Sequence, residues 1–136
     1  MVFITLFSLI KNRNISFVCL QDPPLFQGDP LRAPGFQVHY SKIVGKKTRV
    51  AIYVNLALSK DFTYLCFTPA VDASVFHLLL SRRDGTNVVG GFDKFSLINT
   101  YNRQIDGTNT VSPSDLFTTY RHPALIVRDL NVHNLY

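Results

Sequence analysis

Cysteine is scarce in this chain of 136 residues, which has only Cys19 and Cys66. Both cysteines stand inside apolar runs, they form no Cys-x-x-Cys pair, and no zinc-ligand spacing surrounds them. The pattern therefore indicates neither a zinc site nor a disulfide framework, and it is typical of reduced, buried thiols. Because disulfides persist mainly in oxidising compartments, it favours an intracellular location.

The sequence also lacks an apolar run long enough to span a bilayer. Its most apolar stretch is MVFITLFSLI at residues 1–10, which has neither the basic start nor the small-residue cleavage site of a signal peptide. The polar residues that follow predict a buried helix over residues 2–12 that stops at an Asn. We expect no membrane partner, and a signal peptide is the alternative interpretation.

Charged residues are few, at 17% of the chain, yet the net charge is +5. A basic balance suits an anionic partner such as nucleic acid. The cations occur only in small groups, Lys46, Lys47 and Arg49 in one and Arg82 and Arg83 in another. No group is dense enough to identify a nucleic-acid surface, and solvated loops or strand ends would explain them equally well.

Apolar residues and aromatics are plentiful, with 46% hydrophobic residues, 11 Phe and 6 Tyr. This composition indicates one globular domain rich in β-structure. Helices are expected only over residues 2–12 and 114–120, so the pattern predicts an α+β sandwich-like sheet and no alternating parallel fold. His39 is predicted at a surface or sheet edge, and His77 in the core or at an edge. The predicted strands cover residues 15–20, 36–41, 49–55, 61–67, 75–81, 95–102 and 124–127.

The last predicted strand, residues 124–127, is apolar throughout and is expected to be buried on both faces. Asp129, Asn131 and His133 follow it in alternation, so that a continuing strand would project all three to one side. Such a polar cluster is costly unless it binds a metal ion, a phosphate or its own members. An Asx-type turn at the strand end is the alternative.

Two other predicted strands also end in polar residues. Asp22 stands between ISFVCLQ and the pair Pro23-Pro24, which ends the strand because proline cannot donate to a ladder. Tyr101 and Asn102 end the strand that begins at Phe95. Strand ends of this kind are often used for chemistry in α/β architectures.

Taken in order, the segments CLQDPP, RVAIYV, LINTYN and IVRDLNVHN resemble the endonuclease/exonuclease/phosphatase superfamily, and within it the endonuclease domain of non-LTR retrotransposons. The resemblance runs from Ile15 over nearly the whole chain. It implies a four-layered α/β sandwich with mostly antiparallel sheets. Residues 1–136 would form a single incomplete domain of this type, truncated at both ends.

The resemblance also implies roles for individual residues. Asp22 would hold Mg²⁺, or alternatively Mn²⁺, at a position where most relatives have Glu. Tyr101 would contact the phosphate, Asp129 would orient or deprotonate the attacking water, and Asn131 would hydrogen-bond the phosphate. The substrate-binding positions would be Asn102 and His133.

Several departures from the family pattern lower the expected activity. Arg128 stands where the family usually has Gly, the first family strand would precede residue 1, and the late Ser-Asp-His segment would follow Tyr136. We therefore expect a weakly active or inactive DNA endonuclease. Its expected partners are DNA and a reverse-transcriptase region of a longer polyprotein, in the nucleus. The alternatives are a non-catalytic remnant or nucleic-acid-binding module, and a small-molecule phosphoesterase.

Overall fold

The computed structural model describes residues 2–11, 13–67, 75–88, 90–101, 104–105, 108–109 and 123–129. Within these residues the chain is mostly β-strand in antiparallel sheets, with little helix. The α+β class that the sequence predicted is confirmed at this level. The predicted helix over residues 114–120 lies outside the described residues.

The order of elements follows the predicted strands closely, and most boundaries differ by only one or two residues. The loop predicted between the first two long strands contains a short hairpin, β2–β3. The elements are α1 (Val2–Lys11), β1 (Phe17–Gln21), β2 (Leu25–Phe26), β3 (Asp29–Pro30), β4 (Phe36–His39), β5 (Val50–Asn55), a 3₁₀ helix (Leu56–Lys60), β6 (Phe62–Phe67), β7 (Val75–Arg82), β8 (Lys94–Tyr101), β9 (Gln104–Ile105), β10 (Thr108–Asn109) and β11 (Ala124–Asp129).

The longer described strands form two sheets, one of three strands and one of four. The first has the order β1-β5-β4 and is antiparallel throughout, while the second has the order β11-β8-β7-β6. Among the described strands of the second sheet, β11 and β8 pair in parallel and the other neighbours pair antiparallel. A parallel neighbour requires a crossover connection, which is consistent with the long stretch of sequence between β8 and β11.

The main core lies between the two sheets. One face of β5, with Val50, Ile52 and Val54, packs against Phe76 and Leu78 of the second sheet. The opposite face of β5 carries Ala51 and Tyr53, which pack beneath α1 on Phe7 and Ile10. Because side chains alternate along a strand, β5 supplies both cores and is buried on both sides.

β11 is less buried than its sequence predicted. Leu125 is 52% exposed, so the expectation that residues 124–127 are buried on both faces is wrong. The reason is its position, since β11 lies at one end of the second sheet and pairs with β8 alone among the described strands. An apolar run of this kind looks the same in an edge strand and in a central one.

His39 is half-buried, whereas His77 is buried. His39 lies on β4 at one end of the first sheet, but its ring packs 5.2 Å from the Tyr64 ring and stacks over Phe76 between the sheets. Among the described strands β4 is an edge strand, so the predicted edge position of His39 is confirmed, and partial burial of the ring lowers the pKa of its imidazole. His77 is buried with its Nε2 2.8 Å from Ser96 Oγ, which confirms its predicted core role.

Cys19 lies half-buried on β1 as a free thiol, in agreement with the interpretation of its apolar surroundings. Burial raises the pKa of this thiol to about 12. A cysteine in such a site stays protonated near neutral pH, so it is a weak nucleophile. We therefore assign Cys19 to the core and not to a reactive site.

Candidate active site at the strand ends

A buried hydrogen-bond network joins the two sheets close to the ends of β1 and β8. Asn99 on β8 is fully buried, and its Nδ2 donates to the carbonyl oxygens of Leu20 at 3.1 Å and Ala51 at 3.0 Å. Its Oδ1 accepts from Gln21 Nε2. We call these four residues the Asn99 network. Because a buried amide is costly unless it is hydrogen-bonded, the network fixes how β8 lies across β1 and β5.

The chain leaves β1 sharply at Asp22, directly after Gln21. Asp22 has a φ of 48°, in the left-handed region that Asp tolerates better than most residues. Its backbone N–H donates to the carbonyl oxygen of Arg49 at 2.7 Å, just before β5 begins. The turn carries the chain out of the sheet before Pro23 and leaves the Asp22 side chain at the strand end, 44% exposed.

Arg49 connects Asp22 to Tyr101. Its Nη1 lies 2.9 Å from Asp22 Oδ1, and its guanidinium carbon lies 5.3 Å from the centre of the Tyr101 ring. A guanidinium at this distance from an aromatic face gains a cation–π interaction in addition to the ion pair. The side chains of Asp22, Arg49 and Tyr101 therefore form one continuous group, which we call the strand-end cluster.

The predicted catalytic position 129 lies beside this cluster. In the parallel β8–β11 pair, Asp129 is the register partner of Tyr101, and both residues end their strands. Parallel strands bring their carboxyl ends to the same edge of a sheet. The fold therefore brings together Asp22, Tyr101 and the backbone of Asp129, although the first and last of these residues are more than a hundred positions apart in the sequence.

The structure does not test the other predicted site residues. Asn102, Asn131 and His133 lie outside the described residues, as does the side chain of Asp129. The assignment of these side chains to substrate binding or catalysis thus stays a prediction.

The donors at the strand-end cluster decide how well it suits Mg²⁺. Among the described residues, no group of three or more His, Cys, Asp or Glu side chains is placed to hold a metal ion. Mg²⁺ usually needs only one or two protein carboxylates, together with waters and phosphate oxygens. Asp22 fits as one such ligand, but the Arg49 guanidinium already occupies one of its oxygens.

Sequence reasoning missed Arg49, Gln21 and Asn99 as members of this region. In the sequence Arg49 stands out only as part of a small cationic group, and the antiparallel pairing of β1 with β5 is what places it opposite the end of β1. Gln21 and Asn99 carried a weaker signal, namely an amide at the end or in the middle of an otherwise apolar strand. Such a residue needs a buried partner, but the sequence does not say which.

Comparisons of the chain with protein-family models, with curated proteins and with solved structures find no match. Within the part of the chain that the structure describes, no helix has the length and apolarity needed to cross a bilayer.

Proposed function

We propose that the chain is part of an endonuclease domain of the endonuclease/exonuclease/phosphatase type, in its non-LTR retrotransposon branch, with the chemistry of metal-dependent phosphodiester hydrolysis in DNA. The four-layered sandwich of that superfamily belongs to the same proposal. The α+β layers of the described residues are compatible with it.

One observation carries the proposal. Asp22, Tyr101 and position 129 were selected as site residues from separate sequence motifs, and they meet at one edge of the sandwich. The ends of three arbitrary strands in two sheets would not generally lie at the same edge. The convergence gives a place where a phosphate and an attacking water can lie against a carboxylate, a phenol and a guanidinium.

The proposed division of labour follows from the chemistry of these groups. Hydrolysis of a phosphodiester needs an oriented water, a base and positive charge near the non-bridging oxygens. Asp129 would orient and deprotonate the water, while Tyr101 and Asn131 would hydrogen-bond the phosphate. Arg49 adds a fixed positive charge at the same edge, and a guanidinium suits phosphate recognition.

Mg²⁺, or Mn²⁺ in its place, would be held by Asp22 together with waters and the substrate phosphate. When bound, such a cation stabilises negative charge developing on the scissile phosphate. Arg49 competes for the same carboxylate, so binding of the metal requires the ion pair to open. This competition supports weak activity.

The same ion pair favours a second candidate function, a nucleic-acid-binding module without turnover. A carboxylate held by a guanidinium has lost part of its capacity to bind a cation, while Arg49 still presents donors to a phosphate backbone. In that case the strand-end cluster would bind DNA and cleave nothing.

Nicking of supercoiled plasmid in Mg²⁺ distinguishes the two candidates. We expect slow nicking by the chain and a rate lower by about 10²–10⁴-fold in Asp129→Ala, because that is the usual contribution of a general base. Asp93→Ala removes an exposed carboxylate elsewhere and serves as the matched control. Equal nicking by the chain and Asp129→Ala would eliminate the enzymatic proposal. Turnover of a soluble phosphodiester without nicking would reassign the site to small substrates.

A further inference from the structure

The backbone of Arg49 is fixed on both sides of the residue, so that only its side chain can change position. Its carbonyl oxygen accepts a hydrogen bond from the Asp22 N–H at 2.7 Å. The preceding residue, Thr48, is buried and donates through Oγ1 to the Ser41 carbonyl oxygen at 3.3 Å, and the following residue, Val50, is fully buried in β5. Any movement of the guanidinium therefore comes from rotation about its side-chain bonds.

The guanidinium of Arg49 has more hydrogen-bond donors than the structure uses. An arginine side chain carries five N–H donors. Within the described residues its partner is Asp22, with Nη1 2.9 Å from Oδ1, and this single contact leaves most of the donors open. The Arg49 side chain is 25% exposed, so an anion from solvent can reach them. The planar arrangement of these donors matches the oxygens of a phosphate, which often accepts two of them at once.

Asp22 limits how far Arg49 can serve a phosphate. Its carboxylate engages one of the donors, and its negative charge repels an approaching anion. Both side chains are partly exposed, so the ion pair has the strength of an exposed pair. That strength corresponds to a factor of about two to five in a binding constant.

Tyr101 holds the guanidinium independently of Asp22. The guanidinium carbon lies 5.3 Å from the centre of the Tyr101 ring. This cation–π contact remains when the carboxylate binds something else, because the ring and the carboxylate are separate partners. Loss of the ion pair therefore leaves the guanidinium at the strand-end cluster, on the residue that is the register partner of Asp129.

We propose that Asp22 restrains Arg49, and that Arg49 becomes a phosphate-binding residue when Asp22 takes up a divalent cation. The two ligands then bind the strand-end cluster cooperatively, because the carboxylate that accepts the cation is the one that engages the guanidinium. By linkage the effect is reciprocal, so bound phosphate strengthens cation binding by the same factor. The inference rests on the proposed function, from which it takes its ligands, a DNA phosphate and Mg²⁺ or Mn²⁺.

The restraint can be measured without metal, by fluorescence anisotropy of a short labelled DNA duplex in EDTA. Asp22→Asn is expected to strengthen DNA binding by about two- to fivefold, because it removes the carboxylate charge from the guanidinium. Asn also tolerates the φ of 48° at this position, so the turn after β1 is retained. Asp93→Asn, the matched control, removes the same charge from an exposed residue outside the strand-end cluster and should strengthen binding less.

A double-mutant cycle assigns the gain to Arg49. In an Arg49→Gln background, Asp22→Asn should change the affinity for DNA no more than Asp93→Asn does. Replacement of EDTA by Mn²⁺ at constant ionic strength should strengthen DNA binding in the parent chain by about two- to fivefold more than in Arg49→Gln.

Three results would overturn the inference. These are a gain in Asp22→Asn no larger than in Asp93→Asn, a gain that persists in the Arg49→Gln background, and a Mn²⁺ effect of equal size in the parent chain and Arg49→Gln. Each would do so even if the chain nicks plasmid, so the proposed function can survive the failure of the inference. An Arg49-dependent gain in a chain that nicks nothing would support the restraint while the enzymatic proposal fails.

Discussion

The Asn99 network and the strand-end cluster are built on the same strands, one or two residues apart, yet they differ in burial. Gln21 precedes Asp22 on the chain leaving β1, and Asn99 stands two residues before Tyr101 on β8. Asn99 is fully buried, whereas the side chains of Arg49 and Asp22 are 25% and 44% exposed. On both strands, a residue of the Asn99 network is therefore followed within two positions by a residue of the strand-end cluster, which solvent can reach.

The difference in burial gives the two groups different effects on stability and on ligand binding. A buried hydrogen bond cannot be exchanged for water, so the loss of one partner leaves the other unsatisfied. An exposed ion pair can exchange partners at little cost, because water replaces either one. We infer that the Asn99 network fixes how β8 lies across β1 and β5, and that the strand-end cluster is available to a ligand.

Among the proposed substitutions, Asn99→Ala is expected to lower the free energy of unfolding most. It leaves Gln21 and two carbonyl oxygens without their partner and opens a cavity between the sheets. We expect the free energy of unfolding, measured by urea denaturation, to fall by about 3–5 kcal/mol. Asn87→Ala, at an exposed asparagine, should change it by less than about 0.5 kcal/mol. Similar losses in both would contradict the structural role of Asn99.

Two tyrosines allow a buried hydrogen bond to be compared with an exposed one. The Tyr53 hydroxyl donates to the Leu31 carbonyl oxygen at 2.6 Å, and Tyr53 is fully buried. The Tyr64 hydroxyl makes a comparable bond to Gln37 Oε1 at 2.8 Å, but in contact with solvent. Tyr53→Phe should lower the free energy of unfolding by about 1–2 kcal/mol and Tyr64→Phe by less than about 0.5 kcal/mol. Equal effects would show that burial does not decide the outcome.

The pH dependence of the free energy of unfolding tests the effect of burial at His39. Burial lowers the pKa of His39 below its ordinary 6.5, so the unfolded chain binds this proton more readily than the folded one. The stability that neutral His39 allows is present above pH 6.5 and is lost as the pH falls below it. His39→Phe should flatten the decrease in urea midpoint between pH 6.5 and pH 5, and an unchanged slope would contradict this assignment.

A small effect on stability is also expected at the strand-end cluster. Arg49→Gln opens the pair with Asp22 and should change the free energy of unfolding by less than about 1 kcal/mol. The freed carboxylate should bind Mn²⁺ about two- to fivefold more tightly by calorimetric titration, the factor that corresponds to an exposed ion pair.

Two control variants accompany this measurement. Asp22→Asn should abolish the Mn²⁺ heat, and Lys42→Gln, which opens an exposed ion pair with Asp29, should leave it unchanged. An Arg49→Gln affinity equal to that of the parent chain would show that the guanidinium does not compete with the metal.

The sequence predicted the strands well because their signals are local. Because side chains alternate along a strand, Phe95, Leu97, Asn99 and Tyr101 share one face of β8, and that face meets the other sheet. Asp22 and Tyr101 do lie at strand ends, and Arg49 links their side chains, while their roles toward a metal ion or phosphate stay predictions. The partners of Asn99 and Asp22 could not be predicted, because they depend on which strands become neighbours. For β11, the sequence did not reveal which side of the sheet would remain uncovered.

The Gln21–Asn99 bond joins residues 78 positions apart in the chain. Closing so long a loop has an entropic cost that only the complete apposition of both sheets can offset. A folding intermediate with a single sheet would therefore lack the strand-end cluster. During synthesis, the strands of the first sheet are complete at Asn55, before β8 begins at Lys94, so the strand-end cluster forms only after the second sheet has packed on the first.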